Sequence, residues 1–505
     1  MTSTEPTPAP TPASDVAAGH ERRLHPWSWL FVLLGALRQF IVPLLVLMFF
    51  GRGDRYALWP LVGVGVLALF AVWQYFTYRY RIDGDSLVIR SGLLERSLRQ
   101  VPFSRIHNVE LRQTLLHRLF GVAEVKLESA GGDKPEAQMR VLRLDEALAL
   151  ERLIRHRAQG GEAEAPEAVA GDTLLALSTP EIVRLGLISN RGMIVVGAAF
   201  ALAWQMFPED TMENAFRQAW RSAFGYVEHL HAGWNTALAV AGVVVLALVL
   251  VRLFSVVLAL VRYHGFRLQA LGRRLTIERG LLARVRSSVS RRRIQAWTLR
   301  EGLLHRVFDR RSLSIDTAGA QGEDGQAQRE PPELAPIATP AACDALLQEL
   351  LGDGAWPPAG WQPLHPRAWQ RLLLGDVVFA VLLAAGLCWY VGPWGLLGLL
   401  WLPWGAWLAL RHARFAGYHM DARLFAVREG WWSRHWRFAE LDKLQALQLR
   451  RSPLDRCFGM ASLWLDTAGA GAMSPPLRVR YLPDAEARAL YVALNRDVSR
   501  RPLRW

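Results

Sequence analysis

Six apolar runs dominate this chain and set the first limit on what it can fold into. They cover residues 29–50, 57–76, 193–207, 237–261, 372–391 and 394–410. Most approach the ~20 residues a helix needs to cross a hydrocarbon core of ~30 Å. The third extends backwards through Ile188, although Arg191 interrupts it. Hydrophobic residues make up 51% of the 505 and charged ones 21%, an unusual balance for a soluble chain. The 21 tryptophans suit a chain that crosses water–lipid boundaries, where an amphipathic ring is favoured.

The runs come in pairs, and each pair is followed by a long polar segment. Two crossings return a chain to its starting side, so the three polar segments share one face. The loops within the pairs are "GRGDRY" (51–56), an acid-bearing stretch from Pro208 to Gly233, and the uncharged "GPW" (392–394). The opposite ends carry Arg22, Arg23, Arg79, Arg81, Arg262, Arg267, Arg367, Arg371, Arg411 and Arg414. The positive-inside bias therefore assigns the polar segments and both termini of this multi-pass chain to the cytoplasm. The opening "MTSTEPTPAPTPASDVAAGH" reads as a disordered tail without the basic region of a signal peptide. Three scattered cysteines (Cys343, Cys388, Cys457) offer neither a disulfide framework nor a metal-ligand spacing.

The polar segments are versions of one another. "LLHRLFG" (115–121) returns as "LLHRVFD" (303–309) and "PLDRCFG" (453–459). Around it, "LVIRSG" (87–92) matches "LTIERG" (275–280) and "FAVREG" (425–430). "RIHNVELRQ" (105–113) matches "RIQAWTLRE" and "KLQALQLRR", and "VKLESAG" (125–131) matches "LSIDTAG" and "LWLDTAG". Leu87 and Ile89 alternate with Val88 and Arg90 before a glycine, the period of a strand that ends in a turn. The repeated phrase lies between strands, and Leu116, Leu119 and Phe120 share one face of a helical turn that Gly121 closes. It reads as an apolar plug pressed on the sheet: Leu116 and Phe120, Leu304 and Phe308, Leu454 and Phe458, with Arg118 pointing away. Amphipathic helices from Asp145, Pro340 and Pro483 close the three units. The fold class is thus a mixed membrane protein, with six transmembrane α-helices in three pairs, each pair followed by an α+β domain.

These motifs, in this order and written three times, resemble the bacterial pleckstrin-homology-like domain family. The resemblance implies a bent antiparallel sheet capped by the C-terminal helix, and no catalytic residues. It also implies a companion membrane protein with a single such domain as a partner. The expected boundaries are a tail (1–24), helix pairs at 25–78, 178–262 and 364–410, and PH-like domains at 79–157, 263–352 and 411–498. Linkers cover 158–177 and 353–363, and a basic tail 499–505. Two departures stand out: Asp309 replaces the usual glycine, and Pro453 and Asp455 enter the third plug.

Chemistry-bearing motifs are missing, so neither an enzyme nor a cofactor is expected. "GVGVLA" (63–68) lies inside an apolar run, where glycines favour close helix packing. The basic positions lead further. Between Arg262 and Arg311 stand fourteen arginines against Glu278, Glu301 and Asp309, a balance of +11. Arg284, Arg286, Arg291, Arg292 and Arg293, with the equivalent Arg105 and Lys443, are the candidates for anionic lipid headgroups. The plug arginines Arg118, Arg306 and Arg456 have an acid to pair with in each copy: Glu128, Asp316 and Asp466. Arg38, Arg252 and Asp376 place charge inside apolar runs, as a structural tie or a functional site. Lipid is within reach and no nucleic-acid motif accompanies the charge, so nucleic acid is not an expected partner. The expected function is a non-catalytic membrane scaffold that binds a membrane protein, anionic lipid or both. The alternative is a six-helix transporter or lipid-handling channel gated by the domains.

Overall fold

The computed structural model describes residues 77–91, 97–129, 137–158, 172–206, 234–317, 332–352, 356–358, 360–468 and 474–500, with scattered positions between 22 and 73 and between 212 and 221. The tail to residue 21 and most of the first two apolar runs lie outside the described residues. The chain separates into two compact units. One is Met1–Ala170 with Gly197–Val243 and Glu278–Ser288, the other Gly171–Val196 with Val244–Ile277 and Val289–Trp505.

In the first unit, β1 (Arg22–Arg23), β2 (Arg79–Asp83), β3 (Ser86–Ser91) and β4 (Ser97–Pro102) form one antiparallel sheet. Strands β5 (Ile106–Thr114), β6 (Val122–Ser129) and β7 (Ala137–Arg143) form the second half of the same copy. The helix Leu144–Ala158 buries Ala147, Leu150 and Ile154 among Leu87, Val101, Phe103, Val125 and Leu127. Spacings of three and four put those residues on one helix face, as its amphipathic pattern requires.

The second copy runs through β8 (Asp172–Ala176), β9 (Arg267–Leu271), β10 (Arg274–Arg279), β11 (Ala283–Ser290), β12 (Ile294–Glu301), β13 (Arg311–Thr317) and β14 (Glu333–Ala338). Its helix Pro340–Leu351 starts at Thr339, whose hydroxyl accepts from the Ala342 N–H at 3.2 Å. The third copy uses β15 (Gln362–Pro363), β16 (Gly417–Met420), β17 (Leu424–Glu429), β18 (Arg434–Glu440), β19 (Leu444–Arg450), β20 (Met460–Thr467) and β21 (Leu477–Pro483). Its helix Asp484–Arg500 buries Ala487, Leu490 and Leu494.

Two features escaped the sequence. Each copy gains a strap strand from the segment before its helix pair: β1 pairs with β2, β8 with β9, and β15 with β16. Residues 22–23 are therefore paired strand, not disordered tail, and both linkers contribute a strand. Further, the copies share sheets. In the first unit β11 pairs antiparallel with β5, Arg284 opposite Gln113 and Ser287 opposite Glu110. In the second, β18 pairs with β12, Arg434 opposite Glu301 and Arg437 opposite Thr298. Aligned on the repeat, the two junctions have the same register. In the second unit this makes one seven-stranded sheet in the order β14-β13-β12-β18-β17-β16-β15.

Among the described residues, two stretches are long and apolar enough to cross a membrane: Ala241–Tyr263 and Ala368–Phe415. The second holds the expected fifth and sixth runs, and it does not continue straight. The helix Ala368–Val391 ends at Gly392 (φ 70°), and a 3-10 segment Gly392–Leu400 leads into the helix Trp401–Phe415. A Cβ on Gly405 would stand 2.8 Å from Cβ of Asp376, and one on Gly395 would meet the Cys388 backbone. Glycines thus let the return segment lie against the outgoing helix, and the sixth run is part 3-10 turn rather than one helix. The third run is also broken, since Thr179–Ile188 and Arg191–Leu202 are bent by 53°. Gly186 and Gly192 sit where a Cβ would collide with Val256 and Ser255 of the helix Trp234–Tyr263.

Candidate functional surfaces: strand junctions and arginine turn

The junction of the second and third copies is built from a strand buried on both faces. Trp436 and Phe438 of β18 point into the core of the second copy, where Phe438 stacks with Trp297 (6.4 Å) and Trp356 (4.5 Å). Ala439 points into the core of the third. Next to them Arg437, 1% exposed, reaches Oδ2 of Asp316, 4% exposed, at 2.5 Å. Its other terminal nitrogen donates to Thr298 Oγ1 at 2.9 Å, and Ser474 Oγ donates to Asp316 Oδ1 at 2.5 Å. Glu301 collects Arg311 at 2.8 Å and Arg434 at 3.4 Å. Burial, with the charges of Arg300, Arg480, Arg437 and Arg478, pushes His435 down to about 4, so its ring is neutral at physiological pH.

The plug arginines take a role that the repeat alone did not disclose. Arg306 donates to the carbonyls of Trp431 (2.5 Å) and Trp432 (2.8 Å), in the turn that precedes β18. In the first unit Arg118 donates to the carbonyl of Leu281, in the turn before β11, at 3.4 Å. Each is a latch on the hairpin of the next copy. The expected pairing of Arg306 with Asp316 is therefore corrected: Asp316 is occupied by Arg437, one copy further on. Of the other two acids, Asp466 is exposed, and the Glu128 side chain lies outside the described residues.

The plugs themselves are short helices, Leu115–Leu119, Leu303–Val307 and Pro453–Cys457. Their leucines are not pressed into a core: Leu116 is 43%, Leu304 37% and Leu454 48% exposed. Phe120, half-buried, packs at 5.0 Å on Trp27 and edge-on to Phe31, from the segment that enters the first helix pair. Phe308 borders the second core, and Phe458 is half-buried. Asp309 takes φ 48°, close to the 63° and 69° of Gly121 and Gly459, a conformation that Asp tolerates better than most side chains. Asp455 caps its own helix with Ser452 and binds Arg371 at 2.9 Å. Burial raises the Asp455 carboxyl, but the Ser452 bonds and Arg371 outweigh it and hold it below the usual range.

The basic candidates fall into separate groups. In the first unit Arg284 and Arg286 each lie 3.3 Å from Glu278, which offsets part of their charge. In the second, Arg291, Arg292 and Arg293 form a 3-10 turn ahead of β12, and Lys443 donates to the Arg292 carbonyl at 3.3 Å. Burial pushes the Arg293 guanidinium down to about 10, which leaves it charged at neutral pH. The backbone of Arg105 occupies the equivalent turn of the first copy, Phe103–Arg105. A basic cleft of about 290 Å³ on the first copy, lined by Arg79, Arg81, Arg90, Tyr80, Val88 and Leu98, was not singled out by sequence. Its signal was the alternation of Arg79 and Arg81 along one strand, across from Arg90.

Inside the apolar segments, Arg252 donates to the carbonyls of Leu187 (3.2 Å) and Ser189 (3.0 Å), the acceptors freed where the third run breaks. Asp376 accepts from the Trp401 indole at 3.3 Å, across the hairpin of the last pair. Arg38 lies outside the described residues. Beside the break in that run Arg191 donates to the Tyr263 hydroxyl, and to Glu333 at 2.8 Å.

A thrice-repeated strand-and-helix unit behind apolar segments is the architecture of a multi-copy PH-like membrane protein. The chain belongs to the bacterial PH domain family, which matches at residues 30–158, 224–351 and 370–498. It is 24% identical over 410 residues to the UPF0699 transmembrane protein YdbT of Bacillus subtilis (strain 168), covering 76% of this chain and 79% of that one. No solved structure matches it.

Proposed function

We propose that the protein is a non-catalytic scaffold of the bacterial inner membrane, held by six helices in three pairs. Its three PH-like domains lie on the cytoplasmic side, where they meet anionic lipid headgroups and a membrane protein partner. The observation that carries the lipid reading is the Arg291–Arg293 turn, with Lys443 bonded to its backbone. Basic residues near an anionic surface gain about 1 kcal/mol each, within a Debye length of ~8 Å at physiological salt. The bent third run is an observation on the side of a transporter, because broken helices commonly frame transport sites. Arg252 satisfies that break and Gly186 and Gly192 close it against the neighbouring helix, which favours a scaffold.

The test uses the whole chain, because the second copy takes Trp436 and Phe438 of the third into its core. Detergent-solubilised protein is titrated with short-chain phosphatidylglycerol and phosphatidylcholine at low and physiological salt. The anionic lipid should bind more tightly and in a salt-sensitive manner. Replacing Arg291, Arg292 and Arg293 together by glutamine should weaken it by tenfold or more. Equal binding of the two lipids, or an unchanged affinity in the triple variant, contradicts the lipid reading.

A further inference from the structure

The two internal junctions leave two matching ends. Each uses the first strand of a copy's second half (β5, β12) as acceptor and the last strand of the next copy's first half (β11, β18) as donor. The third copy has the acceptor strand, β19. Among the described residues β19 ends its sheet, in the order β19-β20-β21. The first copy has the donor strand, β4. Among the described residues β4 ends its sheet, and Leu98 on it is 70% exposed.

We infer that β19 takes up β4 of a second copy of this chain, in a head-to-tail contact that repeats the internal junctions. This inference does not depend on lipid binding. Carrying the shared register across sets Leu449 opposite Leu98, where Leu299 stands opposite Trp436. It sets Gln448 opposite Arg99, where Thr298 stands opposite Arg437.

The charges agree with that register. Asp316 pairs with Ala296 in the ladder and takes the buried Arg437 of the next copy. Asp466 pairs with Ala446 in the equivalent ladder and is exposed. The residue of β4 that aligns with Arg437 is Arg99, also exposed. Docking therefore brings an arginine of one chain to the aspartate of another at the one position where an internal junction buries such a pair. Arg456, at the latch position of the third copy, is exposed, whereas Arg306 of the second copy is bonded to the carbonyls of Trp431 and Trp432.

The occupant favoured by these matches is the chain itself, because it carries the complementary strand. Heterologous contacts of this kind make rings or open filaments, depending on whether the rotation closes.

The experiment places Leu98→Cys and Leu449→Cys in a full-length chain whose Cys343, Cys388 and Cys457 are serine. Directly opposed strand positions have Cβ atoms about 4.5–5.5 Å apart, within reach of a disulfide. Mild oxidation of native membranes should give covalent dimers and higher species from the double variant, and from a mixture of the two single variants. The Leu98→Cys chain alone should stay monomeric. Asp466→Arg should reduce the crosslink at least tenfold, and adding Arg99→Asp should restore it. Asp466 is exposed, so the abundance and melting of that variant should match the parent. Folded double variant that stays monomeric, a disulfide closed within one chain, or a crosslink only to a different protein would each overturn the proposal.

Discussion

Asp316→Ala should destabilise the second and third copies together by about 3–5 kcal/mol, the usual cost of removing one partner of a buried ion pair. Arg437 would be left with Thr298 alone, a guanidinium 1% exposed and without a counter-charge. Ser474 would lose its acceptor as well. Thermal melting of the solubilised chain, with proteolysis to report which segments open, reads the effect. Loss of abundance in membranes should accompany it. A variant that melts like the parent would mean that water reaches the pair.

Phe438→Ala is the second large effect. The ring is fully buried between Trp297 and Trp356, and removing such a ring costs about 3–5 kcal/mol. The substitution lies in the third copy, yet the cavity opens in the core of the second. Hydrogen exchange should therefore rise in the helix Pro340–Leu351 as much as in β18 itself. Exchange confined to the third copy would contradict shared packing.

The contrast between what was and was not legible in the sequence has a physical basis. The repeat, the strand period, the C-terminal helices and the closing glycine of the plug are local patterns, and the structure carries all of them. The plug leucines showed that a face existed but not what it would meet, because periodicity fixes side-chain direction and nothing beyond the element. Sheet sharing is non-local: Arg437 and Asp316 are 121 residues apart, and only the second junction carries that pair. One signal was present. In "RHWRFAE" (434–440) bulky Trp436 and Phe438 alternate with Arg437 and Ala439 on a strand whose other face also lines a core. Strap strands of two residues, β1 and β15, are too short for any period to register.

Labelling tests the proposed cytoplasmic placement of the three domains most directly. Single cysteines replace Glu213, Asp145, Val307 and Val492 in a chain otherwise without cysteine, in sealed right-side-out vesicles. An impermeant maleimide should modify Glu213→Cys at once, and Asp145→Cys, Val307→Cys and Val492→Cys only after the vesicles are opened. Labelling of any of the three domains in sealed vesicles would contradict it.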